Sequence, residues 1–224
     1  MANVHGVAGE WARVKGMVAG LWPLFLGVFA AGIAVAMMFT APIYGVTMLV
    51  LTIAYVIWRL LAGLRHVERF FKGARGEEKV SGILANLSDK YHVFNDFTVG
   101  RNHIDHVVVG PGGVFAIETK FWNGRVTLEE DEILLDGQLP NRSPLPQVVR
   151  EAALVKGALS KAGWNGQVTP VLAFASDTFA TRRANARGAV VINSNELREA
   201  FDSDRVVIAP LELDRLVGIM ENCQ

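Results

Sequence analysis

The chain has 224 residues, 51% of them hydrophobic and 20% charged, with a formal net charge of zero. That composition excludes a disordered or fibrous polypeptide and suits one or two folded domains. The single cysteine, Cys223, excludes an internal disulfide and a thiolate metal cluster, and the five scattered histidines show no zinc spacing.

The zero charge is a sum of unlike parts. Up to residue 58, Arg13 and Lys15 stand against Glu10 alone, and residues 59–75 carry five basic side chains against Glu68. From residue 76 onward, 15 basic and 20 acidic side chains leave a net of −5. Residues 16–58 form a run of 43 without one charged side chain. A membrane-crossing helix needs about 20 apolar residues, so the run accommodates two. Thr40-Ala41-Pro42 interrupts it, because proline disfavours helical backbone at the residue before it. The pattern predicts a two-helix transmembrane hairpin, about 21–39 and 43–64, closed by a tight turn. The basic flanks predict a multi-pass cell-membrane protein with both termini cytoplasmic, and Trp22, Tyr44 and Trp58 fall where aromatic rings favour the interface. Three readings compete with the hairpin. A signal peptide cleaved near Ala34-Val35-Ala36 would leave a second hydrophobic stretch behind it. A buried soluble hairpin needs a polar stripe that is missing. One kinked span with an interfacial stretch is the third. No ionisable residue interrupts the run, which predicts an anchor and not a transport path. Residues 1–64 are thus expected to anchor the chain in a lipid bilayer, and 65–224 to form a cytoplasmic domain.

Residues 66–87 read as an amphipathic helix that Gly73 and Gly76 weaken, so that it begins properly near Arg75. A strand is predicted at 91–97. Stronger ones follow at 103–109 and 114–120, joined by Gly110-Pro111-Gly112-Gly113. Short strands at 124–128 and 132–135 precede a helix at 144–162, which tolerates Pro146 in its first turn. Apolar runs at 168–175 and 189–192 suit buried strands. A short helix at 195–201, a strand at 206–209 and a closing helix at 211–220 complete an α/β fold with a mixed sheet flanked by helices.

A reversal centred on Pro111-Gly112 pairs residues whose numbers sum to 223, so that Val109 faces Val114 and Asp105 faces Glu118. Opposed residues in an antiparallel pair project to the same side, with Cβ atoms about 5 Å apart. Glu118 and Lys120, two apart, share that side. Two carboxylates so placed require a cation between them or a retained proton. Asp105, Glu118 and Lys120 are therefore the donor set for metal-assisted phosphodiester hydrolysis: oxygen ligands for Mg²⁺ or Mn²⁺, and an ammonium for the developing charge. The competing reading is a solvated Glu-Lys pair on an edge strand. A one-residue bulge in the turn would put the two acids on opposite faces.

Gly73-Ala74-Arg75-Gly76-Glu77 opening a helix, followed by the seventeen residues Ile104-Asp105-His106-Val107-Val108-Val109-Gly110-Pro111-Gly112-Gly113-Val114-Phe115-Ala116-Ile117-Glu118-Thr119-Lys120, resembles the nuclease-related domain (NERD). That family is similar to the PD-(D/E)XK phosphodiesterases, and the resemblance covers about residues 73–159. It implies a restriction-endonuclease-like sheet. By position it implies Asp105 and Glu118 as metal-binding acids and Lys120 as the catalytic lysine. Glu77 matches the helix-borne glutamate that lines the site or a second metal, and Gln147 matches a glutamine on the following helix. Ile104 stands where the superfamily pattern has proline.

Without the resemblance, Glu77 is a solvated residue near a helix start. His103 reads as a partly exposed strand residue and His106 as structural. The acidic run 129–132 reads as a solvated turn. Arg182, Arg183 and Arg187, in a polar loop, are candidates for phosphate contact. The first reading is thus a membrane-tethered, Mg²⁺-dependent nuclease acting on nucleic acid, DNA before RNA. The alternatives are a catalytically silent module of the same fold binding nucleic acid or a partner protein at the membrane, and a membrane protein whose hairpin is the working part. The oligomeric state has no signature in the sequence.

Overall fold

The computed structural model describes residues 1–176, 178–179, 181–201 and 207–223. Two compact units make up the chain: Glu10–Ala74, and Met1–Gly9 together with Arg75–Gln224.

The first unit holds α1 (Glu10–Met38) and most of α2 (Pro42–Leu84). Pro42 opens α2 at a position where its missing N–H costs nothing. In the turn, the Ala41 N–H donates to Met37 O at 2.8 Å and the Gly45 N–H to Ala41 O at 3.0 Å. A Cβ on Gly45 would lie 2.8 Å from Ala34 O, so only glycine lets the chain reverse this tightly. Phe25, Phe29, Ile43 and Leu51 point outward, and no polar stripe relieves them. Over Glu10–Met38 and Pro42–Ala62 the mean hydropathy reaches 2.1 and 1.9, so both helices are long and apolar enough to cross a bilayer. The stretches expected as separate helices at 43–64 and 66–87 form the single helix α2. A helix-interior glycine costs only about 1 kcal/mol, and burial of Ala74, Val80 and Leu84 offsets Gly73 and Gly76.

The second unit is a mixed α/β fold. Its main sheet has seven strands: β1 (Asn3–His5), β2 (His92–Val99), β3 (Asn102–Gly110), β4 (Gly113–Lys120), β7 (Val168–Phe174), β8 (Arg183–Ala186) and β9 (Ala189–Asn193). Their order is β1-β2-β3-β4-β7-β9-β8. The central trio β2-β3-β4 is an antiparallel meander, whereas β7 and β9 continue parallel to β4 and β8 returns antiparallel. β5 (Val126–Glu129) and β6 (Glu132–Leu135) form a separate ribbon. Its reversal places Glu130 and Asp131 at φ 49° and 64°, the left-handed pair that a tight two-residue hairpin demands.

Helices cover both faces. On one, α3 (Leu145–Lys161) and α5 (Pro210–Glu221) bury Val155, Leu159 and Leu216 against Phe94, Val107, Val109 and Ala116. On the other, Val80 and Leu84 of α2 and Leu197 and Phe201 of the short α4 (Leu197–Phe201) pack on Val93, Val108, Ile117 and Val171. This alternation along β3 and β4 is the period-two pattern that made both strands readable.

Three expectations fail. Residues 183–186, expected as loop, pair as β8. Residues 3–5, expected within the anchor, pair parallel with β2 through backbone hydrogen bonds that include Asn3 N–H to Tyr91 O at 2.9 Å. Of the strand expected at 206–209, Val206 lies outside the described residues and 207–209 form none.

Candidate active site

The β3–β4 register is the sum-to-223 pairing, from Gly110↔Gly113 to His106↔Ile117. Gly113, at φ 134°, absorbs the twist of the Pro111-Gly112 turn. Beyond Ile117 the ladder stops, and β4 continues only against β7. The freed Thr119 N–H donates to Asp105 Oδ2 at 2.7 Å. Asp105 and Glu118 are thus electrostatic neighbours at the point where two strands part, not a ladder pair.

Three further elements close on this point. Gly76 brings α2 against the end of β4, since a Cβ there would sit 3.0 Å from Phe121 Cβ. Glu77, the next residue, then falls within the field of Asp96, Glu118 and Lys120, and accepts a hydrogen bond from the Gly9 N–H. α3 supplies Gln147, whose Oε1 accepts from Lys120 Nζ at 3.3 Å. The Lys120 ammonium also donates to Glu118 Oε1. All five residues singled out in the sequence therefore lie in one neighbourhood.

Two carboxylates there were missed. Glu151, one helical turn after Gln147, accepts from Gln147 Nε2 at 2.9 Å and stands against Glu118. Its i, i+4 spacing from Gln147 was the available signal. Asp96 takes φ 53° within β2 and bears on Glu77, and its Oδ1 lies 3.6 Å from His103 Nδ1. Nothing in the local sequence marks that distortion.

The electrostatics follow from crowding. Burial, then the Glu118 and Glu77 carboxylates, raises Asp105 well above its ordinary value, while the Thr119 N–H and Lys120 pull the other way. Burial, then Asp96 and Glu118, raises Glu77 to about 7. Burial and Glu118 raise Glu151 to about 8. Burial alone would lower Lys120, but the Glu118 carboxylate, with help from Asp105 and Glu151, outweighs it and raises the ammonium above its ordinary value. Lys120 is consequently a fixed cation at neutral pH and not a resting base.

The donor set tests well against a hard divalent cation. Glu77, Asp105, Glu118 and Glu151 would offer oxygen ligands only, and the Lys120 ammonium, hydrogen-bonded to Glu118, lies in the field of the other three. Among the described residues no three His, Cys, Asp or Glu side chains form a preformed metal cage. Mg²⁺ does not require one, because it binds through one or two carboxylates and keeps waters or phosphate oxygens for the rest.

The remaining candidates sit elsewhere. His106 is buried beside Asn95 Oδ1 at 2.8 Å, a structural residue. Arg182 pairs with Glu196 at 2.9 Å and Arg187 with Glu132, so two of the arginines considered for phosphate are engaged by carboxylates.

Residues 72–175 match the model of the nuclease-related domain, NERD. The chain is also similar to an uncharacterized protein of Bacillus anthracis, 38% identical over 66 residues that cover 27% of this chain and 31% of that relative. The chain thus spans under a third of the relative's length. No solved structure matches.

Proposed function

We propose that the protein is a membrane-anchored, divalent-metal-dependent nuclease that hydrolyses phosphodiester bonds of nucleic acid, DNA before RNA. One observation carries the reading: the Lys120 side chain, bonded to Glu118 and Gln147, is held among the crowded carboxylates of Asp105, Glu118 and Glu77 at the end of β4, within the NERD-matched segment. Asp105 and Glu118 are the residues that would hold Mg²⁺ or Mn²⁺, with Glu77 as the third acid. Such an ion lowers the pKa of a bound water and neutralises charge developing on the phosphate.

The chain's own groups supply the rest. Lys120 offers its ammonium to the anionic phosphate in the transition state, a contribution that a group already charged makes without reorganisation. Gln147 steadies that ammonium from α3, and the Thr119 N–H fixes Asp105. Residues 10–62 would anchor this unit in the bilayer. The basic residues flanking the apolar run favour both termini on the cytoplasmic side.

A silent module of the same fold is the second reading. It is favoured by the engagement of Arg182 and Arg187 in ion pairs and by the net −5 beyond residue 76, which gives no general steering toward DNA. The 224-residue chain in detergent micelles, incubated with labelled single- and double-stranded DNA and RNA, separates the two. Cleavage is expected with Mg²⁺ or Mn²⁺, absent in EDTA, and lost in Lys120→Ala and Asp105→Ala. Folded protein that cuts nothing with either metal would leave the silent module standing.

A further inference from the structure

We infer that Glu151 is itself a cation ligand: with Glu118 it forms a divalent-cation site on the α3 side of the carboxylate cluster. This inference rests on the metal-dependent reading above, and it concerns a residue that neither the sequence motif nor the family resemblance singled out.

Glu151 carries an oxygen that no amide, hydroxyl or ammonium donor reaches. The residue is 4% exposed, and its Oε2 is buried with no hydrogen-bond donor, although Oε1 accepts from Gln147 Nε2 at 2.9 Å. A buried carboxylate oxygen without a donor leaves its desolvation penalty uncompensated. The side chain within hydrogen-bond reach is Glu118, also 4% exposed and also acidic, so a bond between the two requires that one of them retain a proton. Lys120 does not resolve the conflict, since its ammonium is engaged by Glu118 Oε1 and Gln147 Oε1. Two buried acids that can meet only through a retained proton make the environment that a cation relieves by taking the proton's place.

The local chemistry selects the cation. The site offers carboxylate oxygens and a carboxamide and, among the described residues, no sulfur or imidazole, which favours a hard ion such as Mg²⁺ or Mn²⁺ over zinc. Two protein carboxylates leave the remaining positions to water or phosphate oxygens, the usual arrangement for Mg²⁺. Gln147 then plays a second part, because its amide N–H holds Glu151 Oε1 and leaves Oε2 to face the ion. α3 would thereby act on the site twice within one turn, at residues 147 and 151.

Mn²⁺ binding to the 224-residue chain in detergent tests this, read as loss of the free-ion signal by electron paramagnetic resonance. Wild type and Glu151→Gln are compared, and Glu151→Asp serves as the variant that keeps the charge. Glutamine is nearly isosteric, keeps an oxygen for Gln147, and can donate to Glu118, so a purely structural role would survive it. The expected result is Mn²⁺ binding by wild type, binding weakened at least about tenfold in Glu151→Gln, and a smaller loss in Glu151→Asp. Equal binding by wild type and Glu151→Gln would overturn the inference while leaving the metal reading intact; Glu151 would then be a protonated partner of Glu118. No binding by folded wild type would overturn both.

Discussion

Asp105 is held by one donated hydrogen bond, from Thr119 N–H at 2.7 Å, against the repulsion of Glu118 and Glu77. Its pKa is raised by folding, so the protonated form is the one that the metal-free fold favours. A group raised in this way contributes stability at low pH and loses it as pH rises. Asp105→Asn keeps an oxygen for Thr119 and removes the charge. In EDTA at neutral pH the variant should therefore be more stable than wild type, by about 1–2 kcal/mol, and the gain should fade toward pH 4. With Mg²⁺ the order should shrink or reverse, because the ion gives wild type the relief that the substitution supplies. Thermal melts at three pH values, with and without the ion, check this; a variant less stable in EDTA would mean that the Thr119 hydrogen bond outweighs the crowding. Asp105, Glu118 and Lys120 were legible because strand alternation and a two-residue turn fix which side chains share a face. Glu151 was marked only by its i, i+4 spacing from Gln147; its burial was not legible, because the adjacent Arg150 and Glu151 both suit a helix and the packing of α3 on the sheet decides which of them is buried.

At the scale of elements, β1 is held in place mainly by backbone. The first residues of a domain stay mobile unless something ties them down, and here the ties are Ala2 N–H to Ala85 O, Asn3 N–H to Tyr91 O, and pairing along β2 to His5↔Phe94. The His5 ring lies 4.5 Å from that of Phe94, and its Nε2 lies 3.3 Å from His92 Nδ1. The segment ends at Gly9, whose N–H reaches Glu77. Asn3→Pro removes the Asn3 donor and should lower stability by about 1–2 kcal/mol, more than Asn3→Ala, which loses only the side-chain bond to Asp89 O. Hydrogen exchange along β2 should speed up in the proline variant alone; equal exchange in both would mean that β1 contributes nothing. A three-residue strand that pairs through its backbone leaves no periodic signal, which is why β1 escaped the sequence. The Arg183–Ala186 strand escaped for the opposite reason: its polar side chains read as loop, yet its backbone completes the edge beside β9. The long apolar runs and the β3–β4 hairpin were readable because side chains, not backbone, define them.

For the whole molecule, two sets of groups pull stability in opposite directions with pH. Burial lowers His106 to about 3 and, together with the neighbouring His5, lowers His92. The unfolded chain binds those protons first, so both histidines cost stability as pH falls below their ordinary 6.5. Glu77 and Glu151, raised to about 7 and 8, and Asp105 behave in reverse: the folded chain holds their protons, and stability is lost as pH rises above the ordinary 4.5 of a glutamate or 3.8 of an aspartate. Below about 3.8, the ordinary value of Asp105, only the histidine set acts, and above 6.5 only the carboxylates do. The metal-free protein should therefore be most stable between these values. Each proton contributes a slope of up to about 1.4 kcal/mol per pH unit on either side. A divalent ion changes one arm alone. By replacing the protons on the carboxylates it should flatten the alkaline arm, while the acid arm, set by histidines outside the cluster, stays where it was. Melting curves from pH 4 to 9 in EDTA and in Mg²⁺ would separate the two arms. An alkaline arm that Mg²⁺ leaves unchanged would mean that the crowded acids serve the fold and hold no ion. An arm that flattens only while Glu151 keeps its carboxylate would link the cluster, α3 and the metal in one measurement.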